Sequence, residues 1–363
     1  MTQYDFATGE AAKAADFANY FCSYSYLYHQ KQMLMDHNRM RAYHSAIMYN
    51  KSMFEGKVVL DVGTGSGVLA IWAAQAGASK VYAVEYTDMA SHAKNLIEGN
   101  GLSGIVEVIQ SSVEELDLPC KVDIIVSEWM GYILLRESML DSVIRARNKW
   151  LKPEGTLFPS HATMYWGLVS YEEDRDQKIK EYQDSLYDWE KFSGEMKQYY
   201  AMDMTPLERP FTKEQEDYFV YSGLWTELRP EHSVGQPVVI KKIDLNTCSF
   251  EDIEGVDKQE YSISTPFPVT ISGFAGWFDV DFAGSETTPI VKRVTLSTGP
   301  HAGYTHWGQQ VFYLKESISC TPNTTISGEL QMMRQDKNKR LYDMEISHRV
   351  DDGETITNKY EIP

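Results

Sequence analysis

Residues 127–139 read SEWMGYILLRESM, and their two glutamates, Glu128 and Glu137, stand nine positions apart just after the largely apolar run 122–126. Carboxylates at the mouth of a buried strand, among Trp129, Met130, Tyr132, Ile133 and Leu134, are either ordinary surface charges or a pair converging on something positive. A second chemistry-bearing stretch is VVLDVGTGSGVLAIWAA, which leaves a β-rich run and opens a helical one. Glycines 63, 65 and 67 let the backbone turn tightly and approach a ligand without side-chain clash. The dinucleotide fingerprint wants its third glycine one place later, where Val68 stands. The spacing Asp61-x-Gly63-x-Gly65-x-Gly67 suits a ligand carrying an amino acid and a nucleoside but no phosphate, namely S-adenosylmethionine. Glu85, 24 residues after Asp61, closes the next strand and can accept hydrogen bonds from both ribose hydroxyls. For Asp61, contact with the ligand and bracing of the loop both stand.

The elements that must position these groups follow from periodicity. β-rich runs at 57–62, 80–85, 105–110 and 122–127 alternate with helical runs at 69–76, 89–99 and 138–151. This is the spacing of crossover units in a parallel sheet covered on both faces, an α/β Rossmann-like arrangement. Apolar residues three and four apart in 31–50 predict one helix ahead of the sheet. After LKPEGTLFPS (151–160), short strand-like runs separated by turns predict an antiparallel β domain. The domains expected are 1–52 (helices capping the cofactor), 53–155 (Rossmann-like) and 156–363 (β domain). An inserted helical arm at about 171–204 carries ten acidic and five basic residues.

With 363 residues and 43% hydrophobic content, the chain can bury the cores of two domains. No run of eighteen apolar residues occurs, and the N-terminal stretch lacks a basic flank ahead of an apolar core, so a soluble, unsecreted protein is expected. The four cysteines are scattered without ligand spacing, which predicts neither a metal site nor a disulfide framework and suits a reducing compartment. A net charge of -18 opposes attraction to nucleic-acid phosphates and favours cationic partners.

YFCSYSYLYHQKQML, LDVGTGSGVLAIWAAQAGA, SEWMGYILLRESML and YTHWGQQVFYL together resemble a protein arginine methyltransferase of the kind that makes asymmetric dimethylarginine, most like the plant-type branch. The similarity runs in order from about Tyr20 to the C-terminal region. It implies an S-adenosylmethionine domain, with S-adenosylhomocysteine as product, joined to a β-barrel whose helical arm docks on a second subunit. Arg39 would bind the methionine carboxylate, Gly63 the methionine end, Glu85 the ribose and Glu114 the adenine amine. Tyr20, Phe21 and Tyr24 would cap the cofactor and help close the substrate pocket, and Gln30 stands where the animal enzymes commonly have histidine. Tyr187, Trp189 and Phe192 would anchor the arm. The family implies a cytoplasmic or nuclear enzyme acting on histone tails or glycine- and arginine-rich RNA-binding proteins, with neither membrane nor direct nucleic-acid binding.

The chemistry that the resemblance implies is coherent. A guanidinium is protonated at any biological pH and its nitrogens are poor nucleophiles. Glu128 and Glu137, gripping it, would draw positive charge toward the held nitrogens and leave the terminal one richer in electrons. At an effective dielectric near 20, each contact at about 4 Å contributes on the order of 4 kcal/mol before desolvation. His306, paired with Asp36, would relay the released proton or act as a structural brace. Trp307 would wall the arginine pocket. Met33 and Met139 would crowd the acceptor nitrogen against symmetric dimethylation, or simply fill the core. Adjacent at the entrance of a helix, Arg136 and Glu137 should face different sides. Two further readings are a catalytically inactive binder of arginine-rich tails and a nicotinamide oxidoreductase; the missing glycine at 68 and the glutamate pair count against the second.

Overall fold

A computed structural model describes residues 25–336 and 338–362 of the chain. Helices α1 (Leu27–Leu34), α2 (His37–Met48) and α3 (Lys51–Phe54) precede the first sheet. The single helix expected over 31–50 is broken at Asp36. This residue leaves the helical region, and its side chain accepts from Arg39 N at 2.9 Å, the geometry of an N-cap. A competing cap overrides an otherwise continuous apolar spacing.

Strands β1 (Val58–Val62), β2 (Lys80–Glu85), β3 (Val106–Gln110), β4 (Val122–Ser127) and β5 (Leu151–Phe158) form a parallel sheet ordered β3-β2-β1-β4-β5. Helices α4 (Val68–Gln75), α5 (Met89–Gly99) and α6 (Leu140–Trp150) connect them. Val59, Leu60, Val81, Ala83, Val122 and Ile125 are buried, as expected of a sheet covered on both faces. The strand order reverses between β1 and β4, so the loops leaving their carboxyl ends diverge and open a crevice there. β5 continues to Phe158, past the boundary at 155 expected from the Pro and Gly punctuation. Gly155 sits within the strand, where a Cβ would lie 2.5 Å from Leu151 Cδ1.

The remainder is antiparallel. β6 (His161–Val169) leads into the arm helices α7 (Glu172–Tyr200) and α8 (Thr205–Phe219). There follow β7 (Leu224–Thr226), β8 (Ser233–Asp244), β9 (Gly255–Ser264), β10 (Val269–Gly284), β11 (Pro289–Ser297), β12 (Gln309–Cys320), β13 (Thr325–Arg334), β14 (Tyr342–Val350) and β15 (Ile356–Ile362). They form a six-stranded and a four-stranded sheet, which make up the barrel domain. Its interior is aromatic: Trp166 stacks on Phe274 with centroids 5.5 Å apart and meets Phe312 at 5.5 Å and Tyr261 at 6.3 Å. The two domains share one core, in which Phe158 of β5 meets Phe54 at 5.1 Å and Phe282 of β10 at 6.2 Å.

The arm extends beyond 204. Pro206, in the first turn of α8, suits a helix start, and the hairpin runs on to Phe219. Trp189 stacks on Phe211 of α8 at 4.2 Å and is half-buried in the hairpin. Tyr187 and Phe192 remain exposed, and Tyr182 is the only buried residue of α7. Among the described residues, no helix is long and apolar enough to cross a membrane, and no His, Cys, Asp or Glu group is placed to hold a metal ion.

Candidate active site

One cavity of about 620 Å³ opens where the crevice of the parallel sheet meets the barrel. Gln30, Met33, Arg39, Gly63, Gly65, Glu85, Glu114, Glu128, Glu137, Met139, His306 and Trp307 all line it. Its volume is of the size that buries a drug-sized ligand. Tyr20, Phe21 and Tyr24 lie outside the described residues.

The side of the cavity under β2 and β3 is built from the glycine loop and Glu85. Gly63 (φ 69°) and Gly65 (φ 55°) take left-handed conformations. A Cβ on Gly63 would lie 2.2 Å from Met139 Cε, so only hydrogen lets the loop and that methionine share the wall. Glu85 faces back into this loop: Oε2 accepts from Gly65 N at 2.9 Å, and Oε1 from Thr87 N at 2.9 Å and Thr87 Oγ1 at 2.7 Å. Gln30 of α1 lies over Gly65. Glu114 is exposed at the cavity rim, 3.5 Å from Arg145 Nε.

Two expected ligand contacts fall elsewhere. Gly67 does not line the cavity; a Cβ there would meet Ile97 and Ala93 of α5 at 3.3 and 3.4 Å, so this glycine serves helix packing. Asp61 is wholly buried beneath the loop, where Oδ2 accepts from Thr64 Oγ1 at 2.5 Å. Burial pushes its carboxyl up to about 7, against the lowering effect of the Thr64 hydroxyl. The folded protein therefore keeps this proton to about pH 7, whereas the ordinary value is 3.8. The stabilisation is complete below the lower value and is lost as pH rises through the upper one. Asp61→Asn, neutral at every pH, is expected to gain on wild type by up to roughly 4 kcal/mol between those limits. Melting temperatures of both proteins across that pH range check this; a constant difference would contradict it.

The opposite side is built by the segment after β4 together with α2 and the barrel. Arg39, in the first turn of α2, places Nη1 2.5 Å from Glu128 Oε2. One helical turn on, Tyr43 donates to Ser127 O at 2.9 Å, which fixes α2 against the end of β4. Arg39 Nε and Glu128 Oε1 are buried and have no hydrogen-bond partner among the described residues, leaving a donor and an acceptor available to a ligand. Glu137 precedes α6 rather than entering it as a helical residue. Ile133, Leu134, Glu137 and Ser138 all have positive φ, and such conformations cost about 1–3 kcal/mol each and persist where the surroundings enforce them. Because this segment is not helical, Arg136 does not point away from its neighbour: its Nη1 lies 3.9 Å from Glu137 Oε1.

His306 comes from the loop before β12. Its Nδ1 lies 2.8 Å from Asp36 Oδ2, and its backbone N–H donates to the same oxygen at 2.9 Å. Burial alone would raise Asp36, but hydrogen bonds from the His306 ring and from Arg39 N hold its carboxyl below the usual range. Asp36 does not line the cavity; it positions α2 and His306. Trp307 is buried, donates Nε1 to Met130 O at 2.8 Å and packs against His306. Sequence reasoning missed Tyr43 and Arg340, both cavity-lining. Tyr43 follows Arg39 by one turn and was accessible from helical spacing, whereas Arg340 carries no local signal.

A glycine-looped parallel sheet, a crevice shared with an antiparallel barrel, and a cavity there lined by Glu85, Glu128, Glu137 and Arg39 define the class of two-domain methyltransferases. The chain belongs to the protein arginine N-methyltransferase family. The profile of the arginine methyltransferase oligomerization subdomain matches residues 160–353, and that of ribosomal protein L11 methyltransferase (PrmA) matches 45–163. Protein arginine N-methyltransferase PRMT10 of Arabidopsis thaliana is 48% identical over 336 residues, covering 92% of this chain and 88% of its own. The protein of the same name from Oryza sativa subsp. japonica is 48% identical over 342 residues, 93% of this chain and 89% of its own. Among solved structures, Arabidopsis thaliana protein arginine methyltransferase 10, described as a uniquely open conformation, superposes with a TM-score of 0.92 and 46% identity over 94% of this chain and 100% of that one. The Trypanosoma brucei PRMT1 enzyme-prozyme heterotetrameric complex with AdoHcy gives 0.80 and 27% identity over 94% and 100%.

Proposed function

We propose that this arginine N-methyltransferase forms monomethylarginine and then asymmetric dimethylarginine in histone tails or glycine- and arginine-rich proteins. The observation that carries this reading is that Glu128, Glu137, Met33 and Met139 line one cavity together with Arg39 and Glu85. The methyl donor is S-adenosylmethionine, which supplies an electrophilic sulfonium methyl group. The residues present fit it: Gly63, Gly65 and Glu85 line the cavity, and Arg39 Nε, a buried donor with no hydrogen-bond partner among the described residues, suits a carboxylate. Glu85 retains acceptor capacity beyond its three protein donors.

In this mechanism Glu128 Oε1 and the Glu137 carboxylate take the substrate guanidinium from two sides. They concentrate its charge on the nitrogens they hold, and the nitrogen left free gains nucleophilicity. Trp307 and Tyr132 wall the slot and keep water from the held cation. His306, held by Asp36, accepts the proton released from the methylated nitrogen. Met139, pressed toward Gly63, together with Met33 narrows the space beside the acceptor nitrogen and disfavours methylation of the second terminal nitrogen. The acidic chain suits the basic, flexible substrates.

Incubation with S-adenosylmethionine and arginine-rich peptides, followed by fragmentation in a mass spectrometer, tests the product. Loss of dimethylamine from doubly methylated arginine is expected, and the symmetric signature would reject the assignment. We also propose a homodimer through the arm, whose exposed Tyr187, Tyr199 and Tyr200 are apolar surface on a hairpin with little burial of its own. Light scattering of the same preparation at micromolar concentration is expected to give twice the chain mass; a monomer would remove this part.

A further inference from the structure

We propose that Arg340 is a positioning residue for methyl transfer: from the barrel it fixes the backbone at Glu137, and with it the direction of that carboxylate. Two successive residues, Glu137 (φ 80°) and Ser138 (φ 58°), occupy the left-handed region that side chains disfavour. They precede α6, which begins at Leu140, and within their own segment the local backbone bonds are Ser138 N to Leu135 O at 3.2 Å and Asp141 N to Ser138 O at 3.3 Å. The long-range restraint comes from the turn between β13 and β14, about two hundred positions later in the chain. Glu137 N donates to Arg340 O at 2.9 Å, and Arg340 Nη1 donates back to Glu137 O at 3.2 Å, closing a two-bond ring. Ser138 Oγ donates to Lys339 O at 2.6 Å.

The turn is itself anchored to the domain it restrains. Arg334, at the end of β13, grips Asp141 of α6 through Nη1 and Nη2 at 3.0 and 3.1 Å and also donates to Tyr342 Oη at 3.0 Å. Bonds therefore run from the barrel to the strained pair and to Asp141 just beyond it. Glu128 takes its position from β4 and α2, so the two carboxylates are aimed by different domains and must be brought into register. Arg340 also lines the cavity, which places the brace at the site and not behind it.

This assignment rests on Glu137 gripping the substrate guanidinium, as proposed above. Arg340→Met keeps the aliphatic stem and its packing but removes the donor to Glu137 O. It is expected to lower kcat/KM for an arginine-rich peptide by about tenfold to a hundredfold, the scale of an ångström-sized misplacement of a reacting group. The dissociation constant for S-adenosylhomocysteine should stay within about twofold of wild type, because the glycine loop is untouched. Combined with Glu137→Gln, the same change should cost less than about threefold, since its effect is exerted through that carboxylate. A wild-type rate for Arg340→Met, or losses that multiply in the double variant, would overturn the proposal. If Glu137→Gln itself transfers at the wild-type rate, the carboxylate reading falls and this falls with it. If Glu137→Gln is impaired and Arg340→Met is not, only the role of Arg340 is lost.

Discussion

Glu137→Gln is expected to lower kcat by about a hundredfold to a thousandfold, with little change in affinity for S-adenosylhomocysteine. The amide keeps the shape and one acceptor but loses the charge that matches a guanidinium. Glu128→Gln should behave differently, although sequence reasoning treats the two glutamates alike. Glu128 is also the partner of Arg39 at 2.5 Å, both largely buried. Breaking such a pair leaves an uncompensated buried charge, so this variant should lose both transfer and cofactor affinity. Calorimetric titration of S-adenosylhomocysteine into each variant, beside initial rates on one peptide, separates these outcomes. Equal affinity losses in both variants would mean that Glu137 also supports the cofactor cradle.

Gly131→Ala should abolish most activity by moving the same loop while leaving every charged side chain in place in the sequence. Gly131 and Leu134 exchange backbone hydrogen bonds, both at 3.0 Å, and so fold the segment between the glutamates into a tight turn. A Cβ on Gly131 would lie 1.7 Å from Arg136 O and 2.6 Å from its carbonyl carbon. Backbone cannot yield as a side-chain tip can, so the turn must open and carry Glu137 away from Glu128. A loss of about a hundredfold in kcat/KM is expected, with a drop in stability of about 1–3 kcal/mol, as overpacking produces. Thermal melts and initial rates measure the two together. A variant at the wild-type rate would show that the turn does not set the separation of the carboxylates.

The parallel sheet was legible because its signals are local. Apolar runs such as VVLDV and VDIIVS, each followed by helical spacing, leave little alternative to crossover units. Gly63, Gly65 and Glu85 were legible for the same reason, since they sit at fixed offsets from those strands. Gly67 was read into the ligand site by its place in the same motif, yet Ile97 and Ala93 claim its open face. The contact between Trp189 and Phe211 of α8 carries no local signal, because the two residues lie on different helices of the arm. The Asp36 cap was present in the sequence but competed with an uninterrupted apolar spacing.

By itself, the sequence determined the strand-loop-helix order, the type of each chemically active side chain and the family, because backbone periodicity and motif spacing act over a few residues. It also placed Glu128 and Glu137 within one loop. Only the tertiary structure decided how that loop is shaped and what each carboxylate meets. Arg39 reaches Glu128 from 89 positions earlier, and Arg340 reaches the Glu137 backbone from 203 positions later. Such pairings arise when two domains close on a shared core, and their energy depends on distance in space, for which separation along the chain carries no code. Local sequence set two charges at a strand mouth, and the residues that hold them, Arg39 and Arg340, are ones that no local pattern connects to them.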